Sequence, residues 1–384
     1  MRRSARILLP EGILIRRLTF SILALCTVML AFQAHAQEAD ETPTEANIRN
    51  GNLFLSLNDC EVSQWYFQQA LSVEPGNAEA LIGNGRALAC RYNYTRAIES
   101  FRSAIEADAS QTMAYVHLAL ALQSQQLNDP ARFPANLGEA LAVLEQAERA
   151  APGSTQVLNT KGVILFQLGE LTQAREALEH AVQSAQADED ISDRMQSVIH
   201  VNLGKTYRDL NNFDLALTSF RRAIVLDPSS ASAHSNLGNA MFQTGDCAGA
   251  EFELEQAAAI DPTSLSAVSD LAITLFECGK VAESVPRFEQ AIDLDGSIFL
   301  PPLYTYQARG LIELGRYEEA VFRASQASRL DPVTADAQYY LGRAYCARGA
   351  VGDSGLAAEA FQAAVAIDPL HEGAQEGVAA GCRP

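Results

Sequence analysis

Residues 204–228 read GKTYRDLNNFDLALTSFRRAIVLDP and residues 238–262 read GNAMFQTGDCAGAEFELEQAAAIDP, the second stretch starting 34 residues after the first. In each, intervals of 12, 4, 3 and 5 residues separate a glycine, an alanine, a large apolar residue, a second alanine and a proline. The first series is Gly204, Ala216, Phe220, Ala223 and Pro228; the second is Gly238, Ala250, Leu254, Ala257 and Pro262. Upstream, Gly85, Ala97, Phe101 and Ala104 keep the spacing, with Gly51 one period before Gly85. Downstream, Ala357, Phe361, Ala364 and Pro369 keep its last three intervals. Such a period marks units that cannot bury their apolar faces alone and stack on their neighbours.

Each position in the series has a physical reading. Small residues at Gly204 and Ala216 allow two helices to cross closely, and Phe220 fills the space between hairpins. Residues 213–226 repeat apolar side chains three and four apart, the pattern of an amphipathic helix. Asp-Pro at Asp227-Pro228, Asp261-Pro262, Asp331-Pro332 and Asp368-Pro369 stops each second helix, because the residue before proline resists the α conformation. Gly169, Gly245, Gly279 and Gly315 fall between the two helices of a unit, where a turn uses positive φ.

This pattern resembles the tetratricopeptide repeat family. The resemblance implies an all-α fold, a right-handed α-solenoid of stacked helix-turn-helix hairpins with a C-terminal capping helix. Nine repeats are expected over 44–369, beginning near Thr44, Ala78, Thr112, Thr155, Ser197, Ala231, Leu265, Pro301 and Ala335. A disordered segment over 37–43 would precede them, and a capping helix and tail over 370–384 would follow. The third repeat carries an insertion at 125–137, expected as a loop because of Pro130 and Pro134. An acidic segment at 186–193 separates the fourth from the fifth, and the ninth has a longer loop near Gly352. Ser63 replaces the second small alanine of the first repeat, and Ala324 replaces the large residue of the eighth.

The first 36 residues differ from this grid. Arg2, Arg3, Arg6, Arg16 and Arg17 precede an apolar run at 18–32 and then Ala34-His35-Ala36, the order of a secretory signal. A signal peptide over 1–36, a mature chain from Gln37 and a periplasmic or secreted location are expected. Two readings compete. One is a retained anchor, although the run is shorter than the roughly 20 residues that span a bilayer. The other is a lipoprotein anchored at Cys26, against which Leu25 stands where lipoprotein signals resemble one another in wanting Gly, Ala or Ser. Stable membrane insertion is not expected once the signal is removed.

The chain has 28 basic and 47 acidic residues, a formal net charge of −19, and loss of five arginines with the signal makes the remainder more acidic still. That charge repels nucleic acid and anionic lipid, and no Lys/Arg cluster forms a phosphate-tracking stripe. Protein partners of neutral or basic character fit better.

Six cysteines follow the signal: Cys60, Cys90, Cys247, Cys278, Cys346 and Cys382. An even number in an exported chain points to disulfides. On the repeat grid Cys60 and Cys90 occupy nearly the same two places in repeats one and two as Cys247 and Cys278 do in repeats six and seven. Hairpins stacked in parallel bring those turn edges side by side, so each pair would bridge neighbours. Cys346 with Cys382 would tie the ninth repeat to the cap. Free, buried cysteines acting as small apolar side chains are the other reading.

Catalytic motifs are sparse. Gly352-Asp353-Ser354-Gly355 resembles part of the nucleophile motif of chymotrypsin-like proteases, but it lies in a loop between helices, and turn chemistry accounts for it. P-loop, G-x-S-x-G, H-E-x-x-H and dinucleotide fingerprints are absent, as are C-x-x-C and histidine pairs at ligand spacing. No enzyme activity, cofactor or metal is expected. His200 and His234 share one repeat position and are read as packing residues.

The resemblance implies that the first helices line a concave surface where peptides or partner helices bind. Asn202 and Asn236 stand one period apart there, followed by Asp270, with Lys205, Arg208, Asn239 and Gln243 further along. Side-chain amides hydrogen-bond a peptide backbone through both donor and acceptor, and the pair looks like a short version of the asparagine ladder of some family members. Phe166, Phe242 and Phe276 would be apolar anchors or core. Arg309, Tyr339, Tyr340 and Arg343 offer a second surface. The two-carboxylate clamp of chaperone-binding members is not reproduced, since Ser266 and Asp270 occupy its basic positions. The resulting expectation is a non-catalytic envelope scaffold, with a docking subunit of an envelope enzyme complex, such as glycosyl transfer machinery, as the alternative.

Overall fold

The structure, a computed structural model, describes residues 41–133, 135–295 and 300–382. The expected signal, its cleavage site and Cys26 lie outside the described residues. Among those described, nineteen helices are present: α1 (Pro43–Ser56), α2 (Cys60–Val73), α3 (Ala78–Cys90), α4 (Tyr94–Ala107), α5 (Thr112–Asn128), α6 (Asn136–Ala150), α7 (Thr155–Gln167), α8 (Leu171–Ala187), α9 (Asp193–Asp209), α10 (Phe213–Leu226), α11 (Ala231–Gln243), α12 (Cys247–Ile260), α13 (Leu265–Glu277), α14 (Val281–Asp295), α15 (Pro301–Glu313), α16 (Tyr317–Leu330), α17 (Ala335–Arg348), α18 (Asp353–Ile367) and α19 (Glu372–Ala380). The first eighteen fall into nine consecutive pairs, the fold of a helical repeat solenoid. The chain divides into two units, one ending at His117 and one starting at Leu118.

In the first unit, Phe67 is fully buried against Ile48, Ala70, Ala80 and Ala87. Thr42 starts α1 with a capping box: its hydroxyl accepts from the Glu45 amide, and the Glu45 carboxylate accepts from the Thr42 amide at 2.8 Å. Helix therefore begins inside the segment expected to be disordered. Ser63, which departs from the small-alanine pattern, is fully buried and donates to the Gly51 carbonyl at 2.8 Å, so the helix crossing there is bonded as well as packed.

The second unit shows why the grid is spaced as it is. A Cβ added at Gly204 would stand 2.5 Å from Phe220, so the ring occupies the space the glycine leaves. Leu178, Phe220, Leu254, Phe288 and Phe361 are all buried at the corresponding position of their repeats. In the eighth repeat the small Ala324 sits instead in a cluster with Val285, Leu311 and Val321. Asp227, Asp261, Asp331 and Asp368 each end a second helix, with ψ between 84° and 98°. Each also accepts a bond from the amide two residues on, a contact that favours a short side chain with an acceptor oxygen before the proline.

Two further segments differ from expectation. Helix α5 continues to Asn128, four residues into the segment read as a loop. Gln123 and Gln125 are buried there, and Asn136 clips the helix end by donating to Gln125 Oε1 at 2.8 Å and to the Leu122 carbonyl at 3.2 Å. Helix α9 starts at Asp193, four residues before Ser197, because Ser192 caps it by accepting from the Met195 amide. At the end of the chain α19 begins after His371, and Gly377 lets it lie on the Phe361 ring.

Candidate functional site: the face of the first helices

Within the second unit, each first helix touches the next along α7, α9, α11, α13, α15 and α17. Their outward side chains therefore form one continuous face, and it falls into a polar part and an aromatic part.

In the polar part, Asn202 on α9 donates to Asn159 Oδ1 on α7 at 3.0 Å. Asn239 on α11 donates to Asp270 Oδ2 on α13 at 2.7 Å, and Ser235 donates to the same oxygen at 3.4 Å. Asn236 instead turns back on its own helix and donates to the Ser232 carbonyl at 2.7 Å. Asn202 and Asn236 thus do not form two rungs of one ladder; the cross-repeat amides are Asn202 and Asn239. Asn159, which accepts from Asn202, and Ser235, which shares Asp270 with Asn239, were not singled out from sequence.

Burial raises the pKa of Asp270, against hydrogen bonds from Asn239 and Ser235 and the charge of Arg208. For Lys205, burial lowers the pKa, and the adjacent Arg208 lowers it further. Arg208 is itself paired with Asp209 at 2.9 Å. Phe242 is half-buried on this face, whereas Phe276 belongs to the core around Leu271, Leu275 and Phe288. Phe166 packs on the cluster of Leu165, Ala174 and Ala177.

The aromatic part centres on Arg309. Its guanidinium lies over the rings of Phe276, Tyr306 and Tyr340, at 4.7, 5.0 and 5.2 Å from their centroids, and pairs with Glu277 at 3.6 Å. Tyr306 and Tyr340, like Arg309 and Arg343, are one period apart, a signal that would have found Tyr306. Burial pushes the Tyr340 phenol above its ordinary pKa. Tyr339 contacts the cap instead: its ring lies 4.7 Å from His371, and Arg343 donates to its hydroxyl at 3.1 Å. A cleft of about 160 Å³ opens between α15 and α17, lined by Pro301, Tyr306, Arg309, Asp331, Asp336 and Tyr340 among others.

Away from this face, the six cysteines stand in the three expected pairs. The Cα separations are 6.0 Å for Cys60 and Cys90, 5.9 Å for Cys247 and Cys278, and 4.9 Å for Cys346 and Cys382. These distances suit disulfides. The Gly-Asp-Ser-Gly stretch forms the start of α18, and Asp353 is held by two bonds from Arg348, at 2.8 and 2.6 Å. His234 is buried between Glu253, at 2.7 Å, and the Pro228 carbonyl, at 3.3 Å. Burial lowers the pKa of His200. Among the described residues no group of three or more His, Cys, Asp or Glu could hold a metal ion, and no helix is long and apolar enough to cross a membrane.

Paired helices, most with a small residue facing a large one at the crossing, define a helical-repeat protein. Profiles described as tetratricopeptide repeat match residues 48–126, 135–195 and 307–372, and one described as TPR repeat matches 204–245. The chain belongs to the tetratricopeptide repeat family. It is similar to the anaphase-promoting complex subunit CDC16 of Saccharomyces cerevisiae, 28% identical over 194 residues, which make up 50% of this chain and 22% of that protein. It is also similar to the probable UDP-N-acetylglucosamine–peptide N-acetylglucosaminyltransferase SPINDLY of Hordeum vulgare, 23% identical over 181 residues, 47% of this chain and 18% of that one. The matches span only 18% to 27% of the curated relatives' length. Among solved structures, pilF of Pseudomonas aeruginosa aligns with a TM-score of 0.50 at 18% identity, over 62% of this chain and 98% of that one. Human IFIT1 aligns with a TM-score of 0.53 at 16% identity, over 89% and 76%. At these identities the structural likeness concerns the fold.

Proposed function

We propose that this protein is an exported, non-catalytic interaction scaffold of the bacterial envelope, holding peptide or helix segments of partner proteins on the face of its first helices. Assembly of pili, secretion machinery or the outer membrane is the kind of process it would serve. The observation that carries this reading is the continuous face of α7 to α17, which holds cross-repeat amides at Asn202 and Asn239 in one part and the Arg309 cluster in another. Amides offer backbone recognition without sequence preference, and half-buried aromatic and arginine side chains are the usual anchors of an interface. Partner capture from envelope extracts tests it. Asn202→Ala combined with Asn239→Ala should lower recovery of bound proteins several-fold, and unchanged recovery would remove this face from the proposal.

Export and oxidation belong to the same reading. The three cysteine pairs are proposed as disulfides formed outside the cytoplasm. Intact mass after alkylation without reductant should show no labelled thiol in exported protein; six labels would sink the assignment.

A further inference from the structure

The cleft between α15 and α17 has a composition that selects one kind of occupant. Its volume of about 160 Å³ is well below the roughly 300 Å³ at which small-molecule pockets begin, and suits a single side chain. Tyr306, Tyr340 and Pro301 line it. Arg309, also in the lining, is not a free cation: three rings cover it and Glu277 neutralises it. Arg343 is turned onto Tyr339.

The other charges lining the cleft are carboxylates. Among the described residues Asp331 accepts only from the Val333 amide and the Thr334 hydroxyl, and Asp336 contacts His371 at 3.0 Å. Neither has a Lys or Arg within ion-pairing distance among the described residues. No intrachain hydrogen bond occupies the hydroxyls of Tyr306 and Tyr340 among the described residues, which leaves both open to the backbone of an extended ligand.

We infer that this cleft seats a proline ring of a basic, extended partner segment, with a Lys or Arg next to that proline facing Asp331 and Asp336. This rests on the scaffold reading and names its partner chemistry. Aromatic-lined slots accept proline because an extended proline segment is already ordered before it binds. The two carboxylates, in a chain of net charge −19, attract a flanking cation and repel an acidic segment.

Fluorescence anisotropy with the full chain and two labelled probes, Gly-Ala-Lys-Pro-Lys-Ala-Gly and Gly-Ala-Glu-Pro-Glu-Ala-Gly, tests this. The lysine probe should bind at least tenfold more tightly than the glutamate probe. Asp331→Asn with Asp336→Asn should cost it threefold or more, and Tyr340→Ala about tenfold. The amide variants retain hydrogen-bond acceptors at both positions, so they carry the test if Tyr340→Ala unfolds. Equal binding of the two probes, no binding of the lysine probe, or indifference to the amide variants overturns the assignment. If envelope partners are still captured in that event, the cleft assignment fails while the scaffold reading stands.

Discussion

At Gly204 the space for a side chain is filled by Phe220, and this contact recurs with little change at Gly342 and Phe361. Gly204→Val should therefore destabilise by about 1–3 kcal/mol through overpacking, and Phe220→Ala by about 3–5 kcal/mol through the cavity it leaves. Urea unfolding monitored by circular dichroism measures both. His117 gives a pH prediction in the first unit. Burial, followed by the charge of Arg86, lowers its pKa from 6.5 to about 4, and its ring stacks on Phe101 at 5.6 Å. A depressed folded pKa means that the contribution is fully present above 6.5 and is lost as pH falls toward 4. Stability should drop over that window, and His117→Phe should flatten the slope. Equal slopes in thermal melts of the two proteins at pH 7 and pH 4 would refute this.

At the scale of a helix, the boundaries follow from local chemistry wherever a cap or an Asp-Pro stop is present. Pro286 is an exception, lying inside α14 and exposed. It removes one intrahelical hydrogen bond, so Pro286→Ala should stabilise by roughly 1–3 kcal/mol, read as a rise in melting temperature. The nine hairpins were legible because the small-to-large contact lies within one hairpin, 16 residues apart at Gly204 and Phe220. The end of α5 was not legible. Pro130 suggested an earlier break, but the clip from Asn136 and the burial of Gln125 hold the extra turn in place, and neither follows from the period.

Over the whole molecule, stability is spread across several apolar clusters instead of one core. In such an array each hairpin depends on its neighbours, and the ends fray first. The pairs Cys60–Cys90 and Cys346–Cys382 lie toward the two ends of the described chain. If oxidised, each loop closure contributes roughly 3–4 kcal/mol. Cys346→Ser with Cys382→Ser should then speed hydrogen exchange in α17 to α19 while leaving α9 to α11 unchanged; uniform exchange would argue against local staples.

The repeat, the helix stops and the pairing of the cysteines are written in the residue order, because contacts at a fixed separation leave a period that can be counted. Which polar side chains meet across the first-helix face is not. Asn202 reaches Asn159 across 43 residues, Asn236 folds back on its own helix, and Arg309 gathers rings from three hairpins. Those choices depend on how one hairpin is offset against the next and on the rotamers that the offset permits, and the stacking of the folded chain settles both.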